Sequence, residues 1–173
     1  MTAAVEIIDD FSQQPPLASN GECWALISDG VMGGVSQGTM GRAQIEGRPA
    51  IRMQGEVSLE NNGGFLQMAI DLGAQGTSVD ASDWAGIEID VIGNGEAYNL
   101  HLRTADVERS WQSYRHALTA PDVWTSIRLP FAGFTRHRIE APLDLRKLRR
   151  LGIVAIGRAF KADIAIGGLR FYN

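Results

Sequence analysis

The chain predicts an all-β protein, an antiparallel β-sandwich, on three observations. Apolar and polar residues alternate with a period of two through roughly ten short segments. Turn signals rich in glycine, asparagine and proline separate those segments, and 20 of the 173 residues are glycine. Only one short stretch carries apolar residues at helical spacing, so at most one or two short helices are expected. Strands that each bury one face reach a stable arrangement by stacking two sheets over a shared core. The length suits a single sandwich domain over residues 1–173.

In chain order, Val5 to Phe11 is a short apolar opening with two acids, and Gln13 to Gly21 is a loop holding Pro15 and Pro16. Trp24 to Ile27 reads as a strand, Asp29 to Gly34 as a turn, and Val35 to Met40 as a strand again. Ala43 to Ile45 and Ala50 to Val57 flank a turn at Gly47 to Pro49, with Ile51, Met53 and Gly55 on one face. Phe65 to Leu72 puts Leu66, Met68 and Ile70 on its apolar face. Gly73 to Asp83 is a loop. Trp84 to Ile92 has Ile87, Ile89 and Val91 facing one way and Glu88 and Asp90 the other.

Gly93-Asn94-Gly95 then reads as a hairpin turn, because glycine and asparagine supply the positive φ that tight hairpins need. Tyr98 to Arg103 returns with Tyr98, Leu100 and Leu102 inward. Trp111 to Leu118 and Trp124 to Pro130 are further strands, and Phe131 to Phe134 is a bend. Asp144 to Arg150 reads as the short helix, with Leu145 and Leu148 at i, i+3. Leu151 to Gly157 and Ala162 to Tyr172 close the chain as strands.

Composition excludes several classes. Apolar residues make up 45% and charged residues 21%, so a globular core is expected. The net charge of -4 argues against a general nucleic-acid binder, whose phosphate contacts need a basic surface. No apolar run reaches the length of a membrane span, and Met1 to Asp10 has neither a basic n-region nor an apolar h-region. With one cysteine, Cys23, no internal disulfide can form. These features place the expected protein in the cytoplasm.

Two stretches stand out. Trp24 to Ser36 reads Trp-Ala-Leu-Ile-Ser-Asp-Gly-Val-Met-Gly-Gly-Val-Ser, and Val57 to Phe65 reads Val-Ser-Leu-Glu-Asn-Asn-Gly-Gly-Phe. Each is an apolar strand pattern running into a polar double-glycine turn. Together they resemble the signature of the complex I intermediate-associated protein 30 family. So does the later order of Gly86-Ile87, Asp90, Gly93 to Gly95, Tyr98 to Arg103, Trp124, Leu129-Pro130-Phe131 and Leu151-Gly152-Ile153. The resemblance implies a galactose-binding-domain-like jelly roll similar to family 11 carbohydrate-binding modules, in which the glycan lies on the concave sheet face. It also implies a protein partner, since mitochondrial members are assembly factors, or chaperones, for respiratory complex I (NADH:ubiquinone oxidoreductase).

Four groups of residues compete for function. Asp29, Met32, Ser36, Asn61 and Asn62 either line a cleft between the two glycine turns or lock those turns together, Asx side chains and glycines being common turn formers. Glu88, Asp90, Asn99, His101 and Arg103 are expected on one polar face of two adjacent strands, where they would grip a polyol or form cross-strand ion pairs. Trp111 or Tyr114 from the next strand would stack on a sugar ring. The basic residues of Arg146 to Arg150 read either as a dock for an acidic partner or as the wet face of the helix.

Catalysis and metal binding find less support. His101, His116 and His137 have no ligand-like spacing for zinc. A structural calcium accompanies jelly rolls of the implied type, and Asp9-Asp10 has the oxygen ligands for one, although the local reading is a strand-end cap. Glu88 and Asp90 share a strand face at i, i+2, the one carboxylate pair that a hydrolase could use, but no nucleophile–base set is visible. The expectation is a non-catalytic binding domain with a protein partner first, a glycan or polyol second and a hydrolase last.

Overall fold

The computed structural model describes residues 5–29, 34, 36–60 and 64–173. Twelve strands lie among them: β1 (Val5–Asp9), β2 (Ala25–Ser28), β3 (Gln37–Ile45), β4 (Arg48–Val57), β5 (Phe65–Asp71), β6 (Gly86–Gly93), β7 (Ala97–Thr104), β8 (Ser113–Thr119), β9 (Thr125–Pro130), β10 (Thr135–His137), β11 (Leu148–Ile156) and β12 (Phe160–Tyr172). They form two antiparallel sheets. The first runs β3-β4-β12-β6-β9, with β1 also pairing β12; the second runs β10-β8-β7-β11-β5-β2. The expected antiparallel sandwich is therefore observed. Helical structure among the described residues is confined to short 3-10 turns such as Ala74–Gly76, Phe131–Gly133 and Leu145–Lys147.

The core lies between the sheets and is filled by the alternate residues that period two selects. Ile51 and Met53 of β4, Ile87, Ile89 and Val91 of β6, and Ile164 and Ile166 of β12 come from the first sheet. Leu66, Met68 and Ile70 of β5, Leu100 and Leu102 of β7, and Leu151 and Ile153 of β11 meet them from the second. All fourteen have no exposed surface. Burying each contributes roughly 1.5–3 kcal/mol relative to exposure.

Two local expectations are corrected. Gly93-Asn94-Gly95 does not close a hairpin, because β6 belongs to the first sheet and β7 to the second. The turn carries the chain across the core, and long-range bonds fix it there. Asn94 donates Nδ2–H to the Lys161 carbonyl (2.9 Å) and accepts from the Tyr98 hydroxyl (2.7 Å), while Tyr98 Oη accepts from the Asp163 amide (2.9 Å). The stretch Asp144 to Arg150 is likewise no helix. One 3-10 turn, capped by the Asp144 side chain on the Arg146 amide, leads directly into β11 at Leu148. The register against β7 shifts between Leu148 and Arg150. That extra residue puts Leu148 and Leu151 on the same buried face three positions apart. The i, i+3 pair Leu145 and Leu148 spans the 3-10 turn into the strand, and both pack on the core without a helix between them.

The chain crosses between the sheets twice at one corner, from β2 to β3 and from β4 to β5. A single carboxylate joins both crossings. Asp29, fully buried just after β2, accepts from the Ser36 amide (2.9 Å), the Gly64 amide (2.6 Å), the Phe65 amide (3.2 Å) and the Ser36 hydroxyl. Ser36 Oγ in turn accepts from the Ser58 amide (2.8 Å). The Gly34 amide donates to the Asp29 carbonyl (2.8 Å), and a Cβ on Gly34 would stand 2.4 Å from the Asp29 carboxyl carbon. Only glycine lets the turn close this tightly. Burial opposes ionisation of Asp29, but the donors from Ser36, Gly64 and Phe65 outweigh it and hold the carboxyl below the usual range.

A second buried carboxylate fastens the opening loop. Asp9 accepts from the Phe11 amide (2.9 Å), the Ser19 amide (3.2 Å) and the buried Trp24 indole N–H (2.8 Å). Its oxygens are engaged by N–H donors, which is the strand-end cap.

Asp29→Ala leaves several buried donors without an acceptor and is expected to lower stability by about 3 kcal/mol. Urea unfolding of the variant beside Ser58→Ala, which keeps every backbone donor, checks this; equal midpoints would show that Asp29 does not hold the corner.

Candidate functional site

Glu88 and Asp90 point outward from β6 on the first sheet, whereas Asn99, His101 and Arg103 point outward from β7 on the second. The single five-residue polar face expected from the sequence does not exist. The apolar sets of β6 and β7 face each other across the core, so their polar sets point in opposite directions.

The first face is a closed ion-pair lattice. Arg170 Nε donates to Glu88 (2.7 Å), and its two terminal nitrogens grip Asp90 (2.9 Å each). Arg128 donates to Glu88 (2.8 Å) and Arg48 to Asp90 (2.5 Å), with the Ser126 hydroxyl also on Asp90. Arg52 binds Asp163 through two bonds of 2.9 and 2.7 Å. Arg48 and Arg128 further lie over the rings of Trp124 and Tyr172. The Arg128 bond, with those from Arg170, holds Glu88 below the usual carboxylate range. Burial opposes the same effect at Asp90, but bonds from Arg170, Ser126 and Arg48 overcome it. Both groups stay ionised at neutral pH, so neither is the protonated acid that glycoside hydrolysis requires. They set strand register instead.

The second face is different. Its outward residues include Arg103 on β7, Arg115 on β8, His137 on β10 and Arg150 on β11, each aligned by the strand register. Against these the alternate positions of β5 offer one carboxylate, Asp71, whose Oδ1 lies 3.6 Å from Arg150 Nε. Their floor is partly covered: His101 is 8% exposed and Val154 1%, although both point away from the core. Gly152, opposite His101, leaves space for the Gln67 side chain, whose Oε1 would lie 2.0 Å from a Cβ there. The buried Nε2 of His101 has no hydrogen-bond partner among the described residues, and neither has Arg150 Nε. At the rim Trp111 is 54% exposed, in a loop held by Gln112 Oε1, which accepts from the Glu108 and Arg109 amides (2.9 and 3.0 Å).

Other expected site residues are placed elsewhere. Tyr114 is fully buried on the inner face of β8 and donates to the Ala141 carbonyl (2.7 Å), so it offers no stacking platform. Asp29 and Ser36 hold the corner between the sheets and are buried. Met32, Asn61 and Asn62 lie outside the described residues. The basic run divides: Arg146 and Lys147 pair with Asp144 and Asp106, and Arg149 donates to the Gly76 carbonyl (2.8 Å), while Arg150 joins the second face. Arg115 is not among the residues singled out in the sequence, whereas Arg150 belongs to the basic run read there either as a dock for an acidic partner or as the wet face of a helix. Arg115 shares parity with Ser113 and Ala117, which is a legible signal; the alignment of Arg150 with Arg103 depends on the bulge. Among the described residues no group of three or more His, Cys, Asp or Glu side chains is placed to hold a metal, and no helix is long and apolar enough to cross a membrane.

The family model for complex I intermediate-associated protein 30 matches residues 10–166. The chain belongs to that family. None of the proteins of curated function matches the chain. In solved structures the fold is similar to a family 11 carbohydrate-binding module from Clostridium thermocellum in complex with a β-1,3-1,4-mixed-linked tetrasaccharide. That match has a TM-score of 0.75 at 14% identity and covers 99% of this chain and 96% of the module. A family 11 module of a cellulosomal cellulase of the same organism gives 0.75 at 13% identity, over 99% and 95%. A family 30 module of a cellulosomal cellulase of that organism gives 0.59 at 14% identity, over 97% and 96%. At these identities the likeness is one of fold, the carbohydrate-binding-module sandwich.

Burial first, then Arg115, His137 and Arg103, push the His101 imidazole down to about 3. The unfolded chain binds this proton below about pH 6.5, and the folded state refuses it until about 3. Stability is therefore lost as pH falls through that window, on the order of 2 kcal/mol between pH 7 and 4.5. Urea unfolding at those two pH values should show a smaller loss for His101→Gln than for the unsubstituted protein. The same loss in both would contradict a buried neutral imidazole.

Proposed function

We propose that this is a non-catalytic binding domain of an assembly or chaperone type, docking a protein partner through the outer face of the second sheet. One observation carries the reading. The two outer faces come from the same kind of strand, yet the first pairs its charges internally and the second leaves Arg103, Arg115 and Arg150 with a single carboxylate at 3.6 Å. A solvated structural face gains nothing from such an arrangement, whereas an acidic partner supplies the missing countercharge. The family's name points to assembly of respiratory complex I, and a cytoplasmic site of action suits the reading.

A second reading, glycan or polyol binding on this face, draws on exposed Trp111 and on the sugar-bound family 11 module of the same fold. A neutral sugar does not compensate three guanidinium groups, which places it second.

Affinity capture from the native host with the intact domain, Arg115→Glu and Lys161→Glu separates these. A partner retained by the wild-type domain and by Lys161→Glu, lost with Arg115→Glu, and released progressively between about 50 and 200 mM salt is the expected result. Capture indifferent to Arg115→Glu would reject this face. A shift of tryptophan emission with mixed-linked tetrasaccharide, absent in Trp111→Ala, would favour the sugar.

A further inference from the structure

Arg103 and Arg150 are directly opposite each other on β7 and β11. Such antiparallel partners have Cα atoms about 4.5–5.5 Å apart, and like charges in that relation are destabilising. Compensation within the domain is thin. Arg103 Nη1 reaches the Ser110 carbonyl at 3.3 Å; Arg150 Nε is buried without a hydrogen bond, beyond bonding reach of Asp71. Two positions along the same face of β7, His101 is itself more than nine-tenths buried and holds a buried Nε2 with no hydrogen-bond partner among the described residues. Arg115 lies directly opposite His101 on β8. Arg115, whose Nε donates to the Ser113 hydroxyl (2.9 Å), and Arg103 thus flank this imidazole on adjacent strands, with Arg150 beyond Arg103. A register device would pair opposite charges here, as Glu88 and Arg170 do on the other sheet.

We propose that Arg103, Arg150 and Arg115 around His101 form a carboxylate site, taken by an acidic, extended segment of the partner. The proposal rests on the docking reading above. Spacing selects an extended acidic segment over a lone anion. Arg115 and Arg103 are diagonal neighbours on adjacent strands, about 7–8 Å apart. Side chains two residues apart on one side of an extended chain are separated by about 6.5–7 Å. One carboxylate bridges Arg103 and Arg150, and the next meets Arg115 above the neutral His101. Guanidinium–carboxylate bonds are the strong, charge-assisted kind.

Calorimetric titration of the intact protein with a short peptide bearing glutamates two residues apart tests this, with the glutamine analogue and oligogalacturonate as comparison ligands. The glutamate peptide is expected to bind, the glutamine analogue to bind at least tenfold more weakly, and the double variant Arg103→Gln, Arg150→Gln to lose at least tenfold in affinity. The same double variant should melt no lower than the wild type, because a like-charge pair has been removed. Unchanged affinity in the double variant overturns the proposal. So does a melting temperature several degrees lower, which would make the arginines structural, or binding of oligogalacturonate but not of peptide. A host partner captured through this face while the peptide fails to bind leaves docking intact and removes the carboxylate site. Peptide binding with no host partner does the reverse.

Discussion

Everything in this sandwich depends on a carboxylate in a place where carboxylates are costly. Asp29 is fully buried where the chain leaves one sheet for the other, and it serves amides from both crossings at once. A buried charge is tolerable only when hydrogen bonds replace its water, and this one accepts from Ser36, Gly64 and Phe65. Gly34 follows from that requirement: a side chain there would collide with the carboxyl itself. The two turns that mark the family are therefore matched halves of one joint. Asp9, holding the Trp24 indole and the opening loop, uses the same device at the end of β1.

With the corner and the core fixed, the outer faces are free to diverge. Both sheets expose alternate residues of antiparallel strands, the usual setting for cross-strand ion pairs. The first sheet completes them so fully that Arg170 serves two carboxylates and each carboxylate serves two arginines. The second stops short. Its arginines crowd a buried imidazole, and proximity of Arg150 and Arg149 adds to burial in making Arg103 easier to deprotonate than usual. Local conflict of this sort, held in place by an otherwise consistent fold, is what docking of the proposed acidic partner would relieve.

Much of the fold was legible because period two is a direct consequence of burying one strand face. Leu66, Met68 and Ile70, or Ile87, Ile89 and Val91, need no structure to be assigned inward. Tyr114 was legible by the same rule, since it shares parity with buried Leu118. Neighbour relations were not legible. A glycine–asparagine turn looks the same whether it closes a hairpin or crosses the core, and Asn94 is directed by Lys161 and Tyr98, one of them far away in sequence. The error about β6 and β7 merged two opposite faces into one site. Only the Asn99, His101 and Arg103 half of it, with Trp111 at the rim, remains together. Arg150 was legible as part of a basic run, but its place opposite Arg103 was not, because Leu145 and Leu148 gave its segment a helical spacing and a bulge sets its register.

One face of the sandwich completes its charge pairs, and the other leaves its arginines with a single carboxylate at 3.6 Å. The Nε–Hε signals of the arginine side chains report on both faces in a single ¹H–¹⁵N spectrum. On addition of an acidic protein ligand, Arg103, Arg115 and Arg150 should move or sharpen while Arg48, Arg52, Arg128 and Arg170 stay where they are. Movement of the second group, or of all seven alike, would contradict the account.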